Sequence, residues 1–256
     1  MDCAKKPLVS VIMPAYNASQ YIAKSISSVQ AQTFTNWELI VVDDYSSDNT
    51  VEIVNGFLRD DSRIRLYRNA QNMGVAKSRN RALEQCQGDY VAFLDSDDIW
   101  YSDKIELQLQ CFSQTNAELV YTSYAIVDSD GIKLCSDFIV PRNASFSDLL
   151  KQNVCNSSTV MISRNIAVSN RFIEDYYHED YIYWINLAKS GCKIIGIQKV
   201  LADYVIHKDS KSANKFNSAK KRWQIYRKYL GLSLVKSSWY FAHYAFAGLK
   251  KYKTVK

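Results

Sequence analysis

Three carboxylates, Asp95, Asp97 and Asp98, stand within four residues at the end of the apolar run 90–94. Acids so close repel one another unless a cation or strong donors satisfy them. A hard divalent ion such as Mg²⁺ or Mn²⁺ does so with few protein ligands and keeps coordination positions for substrate phosphates. The competing reading is a solvated acidic turn that caps the helix after Ser102, because Asp-x-Asp is short and common. Further acids stand in the pairs Asp43-Asp44, Glu174-Asp175 and Glu179-Asp180. A carboxylate there can act as a general base, or can simply favour the positive end of a helix dipole.

The elements around these acids read as an α/β fold. Continuous apolar runs at 8–13, 37–42 and 90–94, with a shorter strand at 64–67, have the composition of strands buried on both faces of a parallel sheet. Between them lie helices: one capped by Ser19 with Ile22, Ile26 and Val29 inward; one opened by Ser46, Ser47 and Asp48 with Val51, Val54 and Leu58 on one face; and one carrying Val75, Arg79, Ala82 and Cys86, closed by Gly88. Strand, helix and strand alternate, and ligands of such sheets dock at the carboxyl ends of the strands, where the acids stand. No G-x-G-x-x-G and no P-loop follows any strand, which excludes the common dinucleotide and P-loop sites. After Trp100 the pattern becomes mixed: a helix at 102–114, strands at 119–123 and 159–163, a turn at 129–131, a helix stopped at Gly191, and two short strands at 192–197 and 201–206.

The chain has 256 residues, 47% of them hydrophobic, enough for a substantial core. Six cysteines, Cys3, Cys86, Cys111, Cys135, Cys155 and Cys192, form no C-x-x-C and read as reduced thiols of a cytosolic protein. Pro14 and Asn17 interrupt the first apolar run after Lys5 and Lys6 before it reaches the length of a signal-peptide core, and no run is long enough to span a membrane. The net charge of +6 is unevenly spread. Residues 208–256 hold 13 Lys or Arg against Asp209 alone, so they carry +12 and residues 1–207 carry −6. An acidic body with a basic tail suits an enzyme with an attachment device better than a nucleic-acid binder.

Five stretches together resemble the inverting family 2 glycosyltransferases of the GT-A fold, over residues 8–212: Val9-Ser-Val-Ile-Met-Pro-Ala-Tyr-Asn17, Val41-Val-Asp-Asp44, Asn72-Met-Gly-Val-Ala-Lys-Ser-Arg-Asn80, Phe93-Leu-Asp-Ser-Asp-Asp98 and Glu179-Asp-Tyr-Ile-Tyr-Trp-Ile-Asn-Leu187. The resemblance implies a Rossmann-like, mostly parallel sheet with flanking helices in a catalytic domain at 1–207. Its nucleotide-binding half would be 1–100 and its acceptor-binding half 101–207, followed by a basic helical extension at 208–256. It places Pro14, Tyr16, Asp44 and Arg79 around uridine, with Asn17, Asp43 and Ser96 on the same surface and Gly74, Lys77 and Arg79 facing phosphate. A carboxylate at Asp44 suits the imide N–H of uracil, and Tyr16 suits stacking on the base. Asp97 is the main expected ligand of Mn²⁺ or Mg²⁺, with Asp95 on ribose or metal, Asp98 in support, and His207 completing the metal or phosphate site. Asp180 is the expected base that removes the acceptor proton, and Glu174-Asp175 is the competing pair. This chain departs from the family pattern at Tyr45, where glycine is frequent, and at Asn186 and Val205, where arginine is frequent.

The resemblance further implies a UDP-sugar donor, a polyprenyl-diphosphate-linked saccharide acceptor of surface polysaccharide such as lipopolysaccharide or capsule, and a place at the cytoplasmic face of the inner membrane. A metal-dependent nucleotidyltransferase is a second reading, although residues 14–20 lack the basic cluster a triphosphate needs. A nucleic-acid-binding module using the basic tail is a third. Residues 216–250 read as two helices with Lys220-Lys221-Arg222, Arg227-Lys228 and Lys250-Lys251 among Trp223, Tyr226, Trp239, Tyr240, Phe241, Tyr244 and Phe246. Such helices suit peripheral attachment to an anionic membrane, or packing of the aromatics on the body with a solvated basic face left outside.

Overall fold

A computed structural model of the chain describes residues 6–207 and 215–252. The expectations for Cys3, Lys5, residues 208–214 and the side chains of Lys250 and Lys251 lie outside the described residues. Four parallel strands form one half of the sheet in the order β3-β2-β1-β4: β1 (Val9–Ala15), β2 (Trp37–Asp43), β3 (Ile64–Arg68) and β4 (Tyr90–Phe93). Every residue of β1 and β2 is buried, as their unbroken apolar runs require. Alternate side chains serve opposite faces. Val11, Met13, Leu39 and Val41 pack with α1 (Ile22–Gln30) and α2 (Thr50–Asp60), while Ile12, Ile40 and Val42 pack with α3 (Val75–Gln85).

The second half is mixed. It comprises β5 (Ile99–Trp100), α4 (Lys104–Gln114), β6 (Leu119–Val127), α5 (Phe146–Lys151), a 3₁₀ turn at Ser157–Thr159, β7 (Met161–Ser163), α6 (Arg164–Ser169), α7 (Glu179–Lys189) and β8 (Ile194–Val205). β7 joins the halves by pairing antiparallel with both β4 and β6; β8 runs parallel to β6 and antiparallel to β5, giving one sheet of order β3-β2-β1-β4-β7-β6-β8-β5.

Two local expectations are corrected. The two short strands at 192–197 and 201–206 are one strand of 12 residues. The polar Gln198 and Lys199 between them are carried in an exposed bulge where the pairing with β6 shifts register. Ser19 does not cap α1, which begins at Ile22 after a turn closed by the Tyr21 and Ile22 amides on the Ala18 carbonyl. The Ser19 amide donates instead to Asp48 Oδ2 at 3.0 Å, which ties the β1 loop to the start of α2.

The C-terminal helices are bonded into the body. After α8 (Lys215–Gln224) and a π turn at Ile225–Tyr229, α9 (Leu234–Tyr252) packs against α5. Ile225 and Tyr226 belong to the same hydrophobic cluster as Ile12 and Phe93. Tyr226 Oη donates to the Leu150 carbonyl at 2.6 Å, and Asn186 Nδ2 donates to Tyr229 Oη at 2.7 Å. Arg222 is buried over the ring of Tyr181 at 3.4 Å. Trp223 stacks edge-on against Phe241, and Tyr240 and Tyr244 also turn toward the body, so of the seven aromatics named above only Trp239 and Phe246 are mainly exposed, at 50% and 71%. Among the described residues no helix is long and apolar enough to cross a membrane.

Candidate active site

Strand ends and one helix start meet around a cavity of about 810 Å³. β1 delivers Pro14, Tyr16 and Asn17, β2 delivers Asp44, β4 runs into Asp95, Ser96 and Asp97, and the first turn of α7 adds Glu179 and Asp180. Of the fourteen residues expected from the sequence, all but Asp43, Lys77 and Asp98 line this cavity. Of the two competing acidic pairs, Glu179-Asp180 is on the wall, while Glu174 and Asp175 are exposed outside it.

The three exceptions have physical reasons. Asp43 is fully buried; its Oδ2 accepts from the Ser46 amide at 3.1 Å and pairs with Arg68 Nε at 3.2 Å, so it braces the turn after β2. Within that turn Tyr45 takes φ of 67°, a left-handed conformation that explains why glycine is frequent there and that a bulky side chain adopts only under strain. Lys77 reaches Glu174 at 3.4 Å in a surface pair. Asp98 accepts from the Ser158 hydroxyl and from the Val205 amide, the latter at 2.9 Å, so both oxygens are engaged away from the cavity. Burial, with Asp97 and Asp95 adding to it, pushes the Asp98 carboxyl well above the usual range. Asp98 is therefore a clasp between the acidic turn and the end of β8.

That clasp brings His207 to the site. Two residues beyond Val205, His207 stacks on Tyr21 with ring centroids 4.8 Å apart and sets Nε2 2.9 Å from Asp97 Oδ2. Asp44 is likewise a scaffold as well as a wall. Its Oδ1 accepts from Asn69 Nδ2 at 2.7 Å and the Met73 amide at 2.8 Å, and its Oδ2 accepts from the Gly74 amide at 2.7 Å, which leaves acceptor capacity on Oδ2. Gly74, at φ of 87°, makes the turn that aims this amide before α3 starts.

Arg79 joins the donor side to the helix of Asp180. One guanidinium nitrogen donates to Asp95 Oδ1 at 2.6 Å and another to Glu179 Oε1 at 2.7 Å. Burial works against the Arg79 charge, but Asp95, Glu179 and Asp180 outweigh it and hold its pKa above the ordinary value. Burial also raises the Asp95 carboxyl, opposed by Arg79 and reinforced by Asp97, while 32% of the Asp95 side chain stays open to the cavity. Asp180 itself has a long contact from Ser157 Oγ at 3.4 Å. Asn69, Ser158 and Tyr21 carry no local signal in the sequence, and Glu179 is marked there only as the neighbour of the candidate base.

A divalent ion fits this donor set in one way. Asp95 is committed to Arg79 and Asp98 to the clasp, and no group of three or more His, Cys, Asp or Glu among the described residues forms a closed cage. Asp97 with His207 supplies one carboxylate and one imidazole on the cavity wall, which suits Mn²⁺ or Mg²⁺ whose other ligands are phosphate oxygens and water.

Residues 10–176 match the family described as glycosyl transferase family 2. The chain belongs to that family. This glycosyltransferase is 39% identical over 246 residues to the putative teichuronic acid biosynthesis glycosyltransferase TuaG of Bacillus subtilis, covering 96% of this chain and 98% of the relative. It is 37% identical over 247 residues to WfgD of Escherichia coli, a UDP-Glc:alpha-D-GlcNAc-diphosphoundecaprenol beta-1,3-glucosyltransferase, covering 96% and 95%. The crystal structure of S. aureus TarS 1–349 in complex with UDP-GlcNAc superposes with a TM-score of 0.74 at 20% identity, covering 94% of this chain and 72% of TarS. The glycosyltransferase thus has the GT-A fold, as its motifs implied.

Proposed function

We propose that this glycosyltransferase moves a hexose, glucose or galactose, from its UDP derivative to a polyprenyl-diphosphate-linked sugar with inversion at the anomeric carbon, at the cytoplasmic face of the membrane in surface-polysaccharide synthesis. The observation that carries the reading is one cavity whose wall holds the Asp97–His207 pair, the Arg79-bound Asp95 and Asp180 together. Tyr16, 53% exposed, is available to stack on uracil, and the remaining acceptor capacity of Asp44 Oδ2 suits the uracil imide N–H. Asp95 is left for a ribose hydroxyl. Asp180 takes the proton of the acceptor hydroxyl as its oxygen bonds to the anomeric carbon and the bond to UDP breaks, so an α-linked donor gives a β-linked product. Asp97 and His207 would hold the Mn²⁺ or Mg²⁺, which would supply positive charge to offset that on the departing diphosphate. The names of WfgD and TuaG support the lipid-linked acceptor and the polysaccharide context, and the UDP-GlcNAc held by TarS supports a UDP donor.

The test is transfer from a panel of UDP-hexoses to a short-chain diphosphate-linked N-acetylglucosamine, in Mn²⁺ and in excess EDTA. Asp97→Ala in Mn²⁺ is expected to match the wild type in EDTA, each slower by a factor on the order of 10³, because the ligand and its share of leaving-group stabilisation go together. Undiminished turnover of the wild type in EDTA would remove the metal from the reading, and no transfer from any UDP-hexose would remove the donor.

A further inference from the structure

Helix α9 is apolar on two opposite sides. Ser237, Tyr240, Phe241 and Tyr244 turn toward the body. Val235, Trp239, Ala242 and Phe246, spaced at four, three and four, form a stripe on the opposite side, and each is exposed, Val235 at 79%. A helix lying on a soluble body normally shows water its polar side. Here the stripe continues into a groove of about 350 Å³ between α5 and α9, lined by Phe146, Leu150, Leu232, Val235, Trp239 and Tyr240 with Lys236.

Cations surround this face. Lys236 borders the groove, Lys151 Nζ lies 5.6 Å from the Trp239 ring centroid, and Arg227 and Lys228 are exposed one turn before α9, with Arg227 bonded to the Leu232 carbonyl. Residues 210–256 contain no Asp or Glu, and the acid beside the patch, Asp148, is engaged with Ser145 and Lys151. An apolar stripe with an indole at its centre and lysines at its flanks matches the boundary between headgroups and acyl chains of an anionic bilayer. A second copy of the chain pairing through the same face would set these cations against their own equivalents with no acid on the stripe to answer them.

We propose that the outward face of α9, with Val235, Trp239 and Phe246 as the inserting residues and Lys236, Arg227, Lys228 and Lys151 as the headgroup contacts, is the surface by which this protein lies on an anionic lipid membrane. The inference draws its purpose from the proposed lipid-linked acceptor and its geometry from α9 alone. The basic cluster at 220–222 is not part of the surface, since Arg222 is buried against Tyr181. Because α9 and the π turn pack on α5 and α7, a docked α9 fixes the catalytic body against the bilayer through those contacts.

The experiment is co-sedimentation of the full chain with phosphatidylglycerol vesicles and, separately, phosphatidylcholine vesicles. The wild type should bind the former, more weakly as salt rises, and the latter far less. Trp239→Ser and Phe246→Ser should each weaken binding about tenfold, the effect of withdrawing one large apolar side chain from lipid, and Lys236→Glu should reduce it in a salt-sensitive way. All three side chains are exposed on the free protein, so melting temperature and vesicle-free hydrolysis of UDP-hexose should match the wild type. Wild-type binding that is absent, or kept in full by the Trp239→Ser/Phe246→Ser double variant, overturns the proposal, as does a concentration-dependent dimer that this double variant abolishes. Failure of the catalytic reading is separate: it appears as missing hydrolysis and transfer in a protein that still binds vesicles.

Discussion

Arg79 and Arg222 are buried to the same degree, 4% and 5% exposed, in surroundings of opposite chemistry. Arg79 lies beneath the cavity between two carboxylates, each within 2.7 Å of a guanidinium nitrogen. Arg222 lies beneath the C-terminal helices between the rings of Tyr181 and Tyr244, at 3.4 and 4.8 Å, and has no carboxylate in ion-pairing distance among the described residues. At the cavity the positive charge is needed because acids are gathered there for chemistry; without it Asp95 and Glu179 lose the guanidinium that both contact. Under the tail the guanidinium serves as a flat, polarisable filler between aromatic faces. Equal burial therefore does not mean equal cost when the charge is removed.

The largest effect should follow from Arg79→Met, which takes the shared guanidinium away from the buried Glu179 and the partly buried Asp95 and is expected to lower stability by about 3–5 kcal/mol, measured by urea unfolding, with transfer lost as well. A variant as stable as the wild type would mean that Asp95 and Glu179 are relieved by proton uptake instead of by Arg79. Next comes Asp180→Asn. Removing a positioned base should slow transfer by a factor on the order of 10² or more while UDP binding and unfolding midpoint stay put; an active Asp180→Asn beside an inactive Asp175→Asn would hand the role to the exposed pair. Arg222→Met keeps the volume, loses the ring contact and also removes a buried charge, so the net change should be about 1 kcal/mol or less. A loss as large as that of Arg79→Met would erase the contrast between the two sites. The smallest effect belongs to Lys77→Ala, because the Lys77–Glu174 pair is 40% and 47% exposed and such pairs contribute under about 1 kcal/mol. A tenfold loss of UDP affinity in that variant would show that Lys77 leaves Glu174 for the diphosphate.

What the residues announced was whatever a run of neighbours could specify. β1, β2 and β4 are continuous apolar segments, and their identity and parallel pairing follow from that pattern. The gathering of Asp44, Asp95, Asp97 and Asp180 on one wall follows from placing acids at strand ends and a helix start. What escaped depends on partners far along the chain. Ser158 sits 60 residues from Asp98 and Val205 sits 107 residues away, so nothing local distinguishes Asp98 as a clasp from Asp97 as a candidate ligand. The same holds for Asp43, whose Arg68 partner lies on the neighbouring strand. In the tail, alternation of aromatics and cations was plain, but only the packing on α5 and α7 divides Tyr226 and Arg222, turned inward, from Trp239 and Phe246, turned out.

The Asp95–Arg79–Glu179 chain of contacts also bears on how such enzymes can be rebuilt. Arg79 comes from the first hundred residues and Glu179 from the second hundred, and the Asp98 clasp on Val205 crosses the same divide. A chimera that joins the first hundred residues of this protein to the remainder of a relative therefore inherits half of each contact. Recombination at that divide requires a carboxylate at the position of Glu179 and a backbone amide at that of Val205; a proline there would leave Asp98 without its second donor. The two parts of the chain are thus portable only as a matched set.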